Sequence, residues 1–157
     1  MIVRGAFTYT VDPDLRDNPK FRDLRVYWDA KRGARAMPRR ADIDPLDLAP
    51  HLGWLVIVEV LASPERFRFR LVGTKVVEAY GRDSTGKTVE QVFRDDPVGG
   101  QFLNELFGAV VERRAAVRAR GPIRPTHQIL RGSDALLLPL DAGDGTVGMI
   151  LIEQNFS

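Results

Sequence analysis

Two stretches of this sequence, far apart along the chain, are apolar on both faces of an extended strand. The first, WLVIVEV, runs from Trp54 to Val60, and the second runs from Thr146 to Ile152. A strand with apolar side chains on both faces must be covered on both sides, so it belongs in the interior of a sheet. The chain therefore requires a sheet with other elements packed against each of its faces.

The segments around these two strands give the element order. Phe67, Phe69 and Leu71 alternate with arginines, which predicts a strand with one covered face and one wet face. Apolar residues at helical spacing predict a helix from Asn18-Pro19 to Gly33 and a longer helix that begins at Asp96-Pro97. Short helices are predicted after Asp44 and over 74–81, and further strands over 117–123 and roughly 127–140.

The resulting order is helix, strand, strand, short helices, longer helix and three strands. Strands and helices do not alternate, which disfavours a parallel doubly wound sheet and favours an antiparallel sheet with helices gathered on one face. The 157 residues fit one domain, residues 18–157, preceded by an N-terminal arm of residues 1–17. In that arm Phe7–Val11 alternates as a short strand or an extended segment.

Composition excludes several kinds of chemistry. The sequence has no cysteine, which excludes disulfides, thiolate metal sites and cysteine nucleophiles. Its two histidines, His51 and His127, are isolated from other candidate ligands, so no metal site is predicted. No apolar run approaches the roughly 20 residues that span a bilayer, so we expect a cytoplasmic location and no membrane partner.

Charge gives little support for a nucleic-acid partner. The 23 Lys and Arg residues are nearly balanced by 21 Asp and Glu residues. The densest basic stretch, residues 16–40, is interrupted by Asp17, Asp23 and Asp29 and is typical of a solvated face. We therefore expect no nucleic-acid binding; the alternative, a nucleic-acid binder that uses residues 16–40, predicts a steep dependence on salt.

Residues 81–88, GRDSTGKT, match the fixed positions of a phosphate-binding loop. Such a loop needs a buried strand directly before it and a long helix directly after it. Here residues 75–80 have a helical pattern, and the segment that follows is stopped before Pro97. We therefore interpret residues 81–88 as a turn. No serine stands in a nucleophile motif and the paired carboxylates precede prolines as helix caps do, so no catalytic residue is assigned.

Four segments together resemble a known family. These are YWDAKRGARAMPRRADIDPLDL, RFRFRLVGT, GRDSTGK and LLLPL, and they resemble bacterial stand-alone PAS-domain proteins over about residues 20–152. The resemblance implies an α+β fold with a five-stranded antiparallel sheet in the spatial order 2-1-5-4-3. The strands at 54–60 and 146–152 are then central neighbours. Inserted helices cover one face, and the N-terminal amphipathic helix or a second subunit covers the other.

The resemblance also implies a function, that of a regulatory sensor or adaptor without enzymatic activity that acts through a signalling protein. A small molecule would bind between the sheet and the inserted helices, in a space assigned to Phe69, Leu71, Tyr80, Phe107, His127 and Met149. No cofactor is assigned. One alternative is a filled core without a cavity. Another is a small-molecule enzyme with a cone-shaped pocket, for which Tyr80, His127 and Glu59 are the candidates.

The N-terminal helix carries an apolar stripe of Phe21, Leu24, Tyr27 and Trp28. One interpretation is an interface with a second copy or another partner, which predicts a homodimer held partly by this helix or by the Phe7–Val11 arm. The other is that the stripe docks on the domain's own sheet. A large exposed apolar patch is rare on a monomer, so one of the two must cover it.

Overall fold

A computed structural model describes residues 1–4, 7–122 and 132–157, and of residues 2–4 only the backbone. Within them, seven strands form one antiparallel sheet. In chain order the strands are β1 (Ile2–Arg4), β2 (Phe7–Val11), β3 (Leu55–Val60), β4 (Phe67–Val72), β5 (Val117–Gly121), β6 (Ser133–Asp141) and β7 (Val147–Phe156). Their spatial order is β1-β2-β5-β6-β7-β3-β4.

The predicted strand order is confirmed. The five expected strands are β3, β4, β5, β6 and β7, and they stand in the expected 2-1-5-4-3 arrangement with β3 and β7 as neighbours in the middle. The N-terminal arm adds two strands, because β2 pairs with β5 and β1 pairs with β2. Phe7 fixes this extension: its ring lies where a Cβ on Gly121 would be and stacks on Phe102 at 4.4 Å.

Four α-helices surround the sheet in the described residues: α1 (Pro19–Arg32), α2 (Thr74–Tyr80), α3 (Val89–Val92) and α4 (Pro97–Arg113). A 3₁₀ segment, Pro45–Trp54, leads into β3. The predicted helix starts are explained by capping, since the side chains of Asn18 and Asp96 accept backbone N–H groups of the first turns of α1 and α4. Both helices have proline at their first position.

Strand register divides the apolar residues between two faces of the sheet. Phe69 pairs with Val58, and Val58 pairs with Ile150, so these side chains share the face on which α4 packs, hereafter the α4 face. Leu55 pairs with Glu153, which in turn pairs with Leu136, and these side chains share the opposite face, hereafter the α1 face. Each face has its own buried layer, as the two central apolar strands require.

A register shift in the β3–β4 pair corrects the expectation for Leu71. The shift falls between Ile57 and Val58, so that Phe69 pairs with Val58 whereas Leu71 pairs with Ile57. Ile57 and Val58 are adjacent in β3 and point to opposite faces, so the side chains of Phe69 and Leu71 lie on opposite sides of the sheet. Phe69 is buried on the α4 face, but Leu71 lies on the α1 face with 43% of its surface exposed. The simple alternation of RFRFRLV does not continue to Leu71.

Candidate functional site

Aromatic side chains fill the space between β4 and α4. Phe107 of α4 contacts Phe67 edge-on, with 5.3 Å between ring centroids, and Phe69 with 6.4 Å. All three rings are buried. Edge-to-face packing at these distances is the close contact of a protein core. The described residues at this point form a packed core, as one of the two interpretations of the sequence expects.

The five described residues among the six assigned to a ligand space do not come together. Phe69, Phe107 and Tyr80 lie on the α4 face, and Tyr80 packs edge-on against Phe156 near the end of β7, at 5.6 Å. Met149 pairs with Glu59 of β3 and thus lies on the α1 face, as Leu71 does. The expectation that Leu71 and Met149 face α4 is therefore wrong. His127 lies outside the described residues.

Two shallow depressions lie in the outer surface of the described residues. One, of about 370 Å³, is bordered by Arg82, Lys87 and Arg94 beside the 81–88 turn. The other, of about 270 Å³, lies between α3 and α4 over Phe93 and Gly100. Both are open to solvent, and Phe69 and Phe107 line neither of them.

Helix α1 covers the α1 face with the apolar stripe predicted for an interface. Phe21, Leu24 and Trp28 are at most 2% exposed in the single chain, and Trp28 Nε1 donates a hydrogen bond of 2.9 Å to Pro139 O in β6. Tyr27 lies at the rim, where its hydroxyl donates to Asp47 and accepts from the backbone of Asp44. The stripe docks on the chain's own sheet, so the interface predicted for these residues is already occupied within the chain.

The start of α1 is fixed to the sheet by a buried arginine. Arg118 of β5 is 6% exposed and makes hydrogen bonds of 2.6 Å to Asp17, just before α1, and to Asp134 of β6. Its guanidinium also lies over the ring of Phe21, at 5.3 Å. The hydrogen bond to Asp134, supported by that to Asp17, raises the pKa of Arg118. Two charge-assisted contacts thus join β5, β6 and the chain entering α1.

A buried carboxylate forms the second charged contact beneath α1. Glu153 of β7 is fully buried, and its Oε2 lies 2.5 Å from Nδ1 of His51 in the 3₁₀ segment. Lys20 of α1 approaches the same oxygen at 4.0 Å, with its ammonium over the ring of Trp54. Burial raises the pKa of Glu153 above its ordinary value, and the contact with His51 partly opposes this rise.

Arg118 and Glu153 stand in one row across the sheet. Arg118 pairs with Leu136, and Leu136 pairs with Glu153, so the two charges occupy strands on either side of β6 on the α1 face. Neighbouring strands are about 4.8 Å apart, which places the two backbone positions roughly 10 Å from each other. Sequence reasoning missed both residues. The signal in the sequence was strand alternation: each residue stands at a position whose side chain points to the face that α1 covers.

Residues 81–88 form a turn, as predicted. Helix α2 precedes them, and the single turn of α3 follows. Gly81 and Gly86 have positive φ angles of 74° and 84°, which glycine adopts without strain. The backbone of the turn closes the edge of β4, because Gly86 N donates to Phe69 O and Phe69 N donates to Lys87 O. These flanking elements differ from those of a phosphate-binding loop.

The basic stretch at 16–40 is largely engaged in ion pairs. Arg25 and Arg32 both contact Asp29, and Arg35 contacts Asp42. Arginines neutralised by neighbouring carboxylates present little net positive charge to a polyanion. The structure therefore agrees with a solvated, internally paired surface at this stretch.

Of the three residues named for a catalytic alternative, the two that the structure describes are separated. Glu59 is on the α1 face and forms an ion pair of 3.0 Å with Arg68, whereas Tyr80 lies over the α4 face. No group of three or more metal-ligating side chains occurs among the described residues. In the same part of the chain, no helix is long and apolar enough to cross a membrane.

An antiparallel sheet with inserted helices on one face and an N-terminal helix on the other places the chain in the α+β class. The model of the PAS domain family matches residues 16–151, which is most of the chain. The chain therefore belongs to the PAS domain family and is, in general terms, a sensor or signalling module.

Two further comparisons complete this result. A search of curated protein sequences finds no match. Among solved structures, the chain is similar to one titled "Structure of an RNA-binding Light-Oxygen-Voltage Receptor", with 14% sequence identity and a TM-score of 0.49. The match covers 76% of this chain and 35% of that receptor chain.

Proposed function

We propose that this PAS domain is a regulatory adaptor in signal transduction whose output element is helix α1. The observation that carries the proposal is the docking of α1: its apolar stripe is buried on the sheet, and its start contacts two buried charged groups. A helix held in this way has a closed and an open position, and a partner that binds one of them better shifts the balance.

Energetics supports regulated rather than spontaneous opening. Burying a large apolar side chain stabilises the closed position by roughly 1.5–3 kcal/mol, and α1 buries Phe21, Leu24 and Trp28. Lifting α1 would also expose buried apolar side chains of β6 on the α1 face, among them Leu136 and Leu138. The open position is thus rare in the free protein, and a signalling protein that binds it would have to supply the difference.

A small-molecule sensor is the second candidate. It is favoured by family membership, but the packed contacts among Phe67, Phe69 and Phe107 favour an adaptor without a ligand at that point. A homodimer stays a prediction. The two elements assigned to its interface, α1 and the Phe7–Val11 arm, both pair within the chain. We further expect the partner to be a protein rather than a nucleic acid, and we expect no enzymatic activity.

The experiment combines partner recovery with native mass spectrometry. Trp28→Phe removes the hydrogen bond to Pro139 but keeps an aromatic ring, and Val26→Ala changes an exposed position on the same helix as a control. We expect Trp28→Phe to change the amount of a specific partner protein recovered from cell extract, and Val26→Ala to leave it unchanged. Equal recovery with both variants contradicts an output through α1. A stoichiometric small molecule in the native mass spectrum would favour the ligand sensor instead.

A further inference from the structure

The carboxylate of Glu153 is an unusual group for the middle of a sheet. In its row it stands between Leu136 of β6 and Leu55 of β3, and none of its surface reaches solvent. Among the described residues, the close partner of its Oε2 is Nδ1 of His51. Oε1 is buried and has no hydrogen-bond partner in the part of the chain that the structure describes. A buried oxygen without a donor destabilises the ionised form of a carboxyl group.

The charges around Glu153 come from every element that covers it. The 3₁₀ segment contributes His51, and α1 contributes Lys20, at 4.0 Å, together with the opposing carboxylate of Asp23. In the sheet, Arg118 stands two strands away but is engaged by Asp17 and Asp134. Lys20 is half-exposed, so its charge is partly screened. The ionised carboxylate therefore has one close partner and incomplete compensation.

Either protonation state can keep the bond to His51. When Glu153 is ionised, the imidazole must carry a proton on Nδ1 and donate it. When Glu153 is protonated, its hydroxyl donates to an unprotonated Nδ1 instead. The second arrangement places no net charge on the carboxyl group beneath α1, so the closed position no longer holds a buried anion with an unpartnered oxygen.

We propose that the docking of α1 is proton-linked through Glu153: the protonated side chain favours the docked helix, and ionisation favours its release. The direction follows from the groups that cover Glu153. Lifting α1 removes the turn that carries Lys20 and admits water to the carboxylate. Hydration stabilises the ionised Glu153 more than the neutral one, so ionisation favours opening. The proposal concerns the opening of α1 itself and does not depend on which partner, if any, binds the open position.

The direction of the pH dependence follows from the pKa of Glu153. The pKa of Glu153 is raised in the closed position from an ordinary value of 4.5, chiefly by burial. Opening therefore releases a proton when the pH lies between the ordinary and the raised value. The contribution of Glu153 to the closed position is complete below the ordinary pKa and is lost as the pH rises through the raised one.

Amide hydrogen exchange measures this opening directly. Exchange in Phe21–Trp28, corrected for the intrinsic rate at each pH, gives the opening equilibrium of α1. We expect opening to increase with pH by up to about tenfold per pH unit between the ordinary and the raised pKa of Glu153. Tryptophan fluorescence gives a second measurement of α1 opening. The sequence has two tryptophans: Trp28 lies in α1 against Pro139, and the ring of Trp54 lies beneath the ammonium of Lys20 in α1.

Two variants identify the group responsible. Glu153→Gln should remove the pH dependence of α1 opening, and Glu78→Gln, which changes an exposed carboxylate on α2, should keep it. A corrected opening equilibrium that is flat in the unmodified protein, or equally steep in Glu153→Gln, overturns the proposal. If Glu153→Gln does not fold, the side-chain carboxyl of Glu153 can be titrated by ¹³C NMR in the unmodified protein. An ordinary glutamate titration there overturns the proposal as well.

Discussion

The two faces of the sheet are packed by different means. On the α4 face, Phe67, Phe69 and Phe107 form a layer of rings in mutual contact. On the α1 face, apolar side chains surround two buried charged groups, Arg118 and Glu153. The stability that an aromatic layer contributes does not depend on protonation. The stability that a buried charge contributes depends on its partners and on its protonation state. The difference supports the proposal that the α4 face is the structural layer and that regulation acts on the α1 face.

The largest expected effect tests the structural layer. Phe107→Ala should lower the free energy of unfolding by about 3–5 kcal/mol, because it leaves a cavity between Phe67 and Phe69. Urea denaturation measures the change, and Val98→Ala, at a position of α4 that is 72% exposed, is the control. A loss similar to that of the control would mean that this space is already open, and the α4 face would again be a candidate ligand site.

The next effect tests the charged face. Arg118→Met keeps the apolar stem of the side chain but removes its hydrogen bonds to Asp17 and Asp134. We expect a loss of about 1.5–3 kcal/mol, the range for hydrogen bonds to charged groups. The loss should appear together with faster amide exchange at the start of α1. Arg16→Met is the matched control, because Arg16 is exposed and its ion pair among the described residues is with the exposed Asp14.

If Arg118→Met lowered the free energy of unfolding but left α1 exchange unchanged, the arginine would stabilise the sheet alone. The two faces would then differ in composition but not in their capacity for regulation. A neutral result in both denaturation and exchange contradicts the assignment of Arg118 as a contact that holds α1.

The sequence predicts the order of the elements well because caps and periodicity are local. Asn18-Pro19 and Asp96-Pro97 begin helices through contacts within one turn. The two central strands follow from side chains that are apolar on both faces. Pairing of the arm is not local: β2 pairs with β5 over a hundred residues away, through the fit of Phe7 on Gly121. No pattern within residues 1–17 carries that information.

The candidate site was less predictable for the same reason. Glu153 and Arg118 were visible as charged residues that continue strand alternation, but their burial depends on α1, which meets them from a distant part of the chain. Met149 was assigned to the wrong face, because the orientation of a strand that is apolar on both sides cannot be read from its own residues. Register with β3 and β6 decides it.

The smallest expected effect concerns the register shift between β3 and β4. Alternation alone makes Phe69 and Leu71 equivalent, yet the structure buries Phe69 and leaves Leu71 43% exposed on the other face. Leu71→Thr should change the free energy of unfolding by no more than about 0.5 kcal/mol, since threonine suits an exposed strand position. Phe69→Thr, the matched substitution, should cost roughly 3 kcal/mol or more. Thermal or urea denaturation compares the two. Similar large losses would place both side chains on the α4 face, remove the register shift and restore Leu71 to the layer beneath α4.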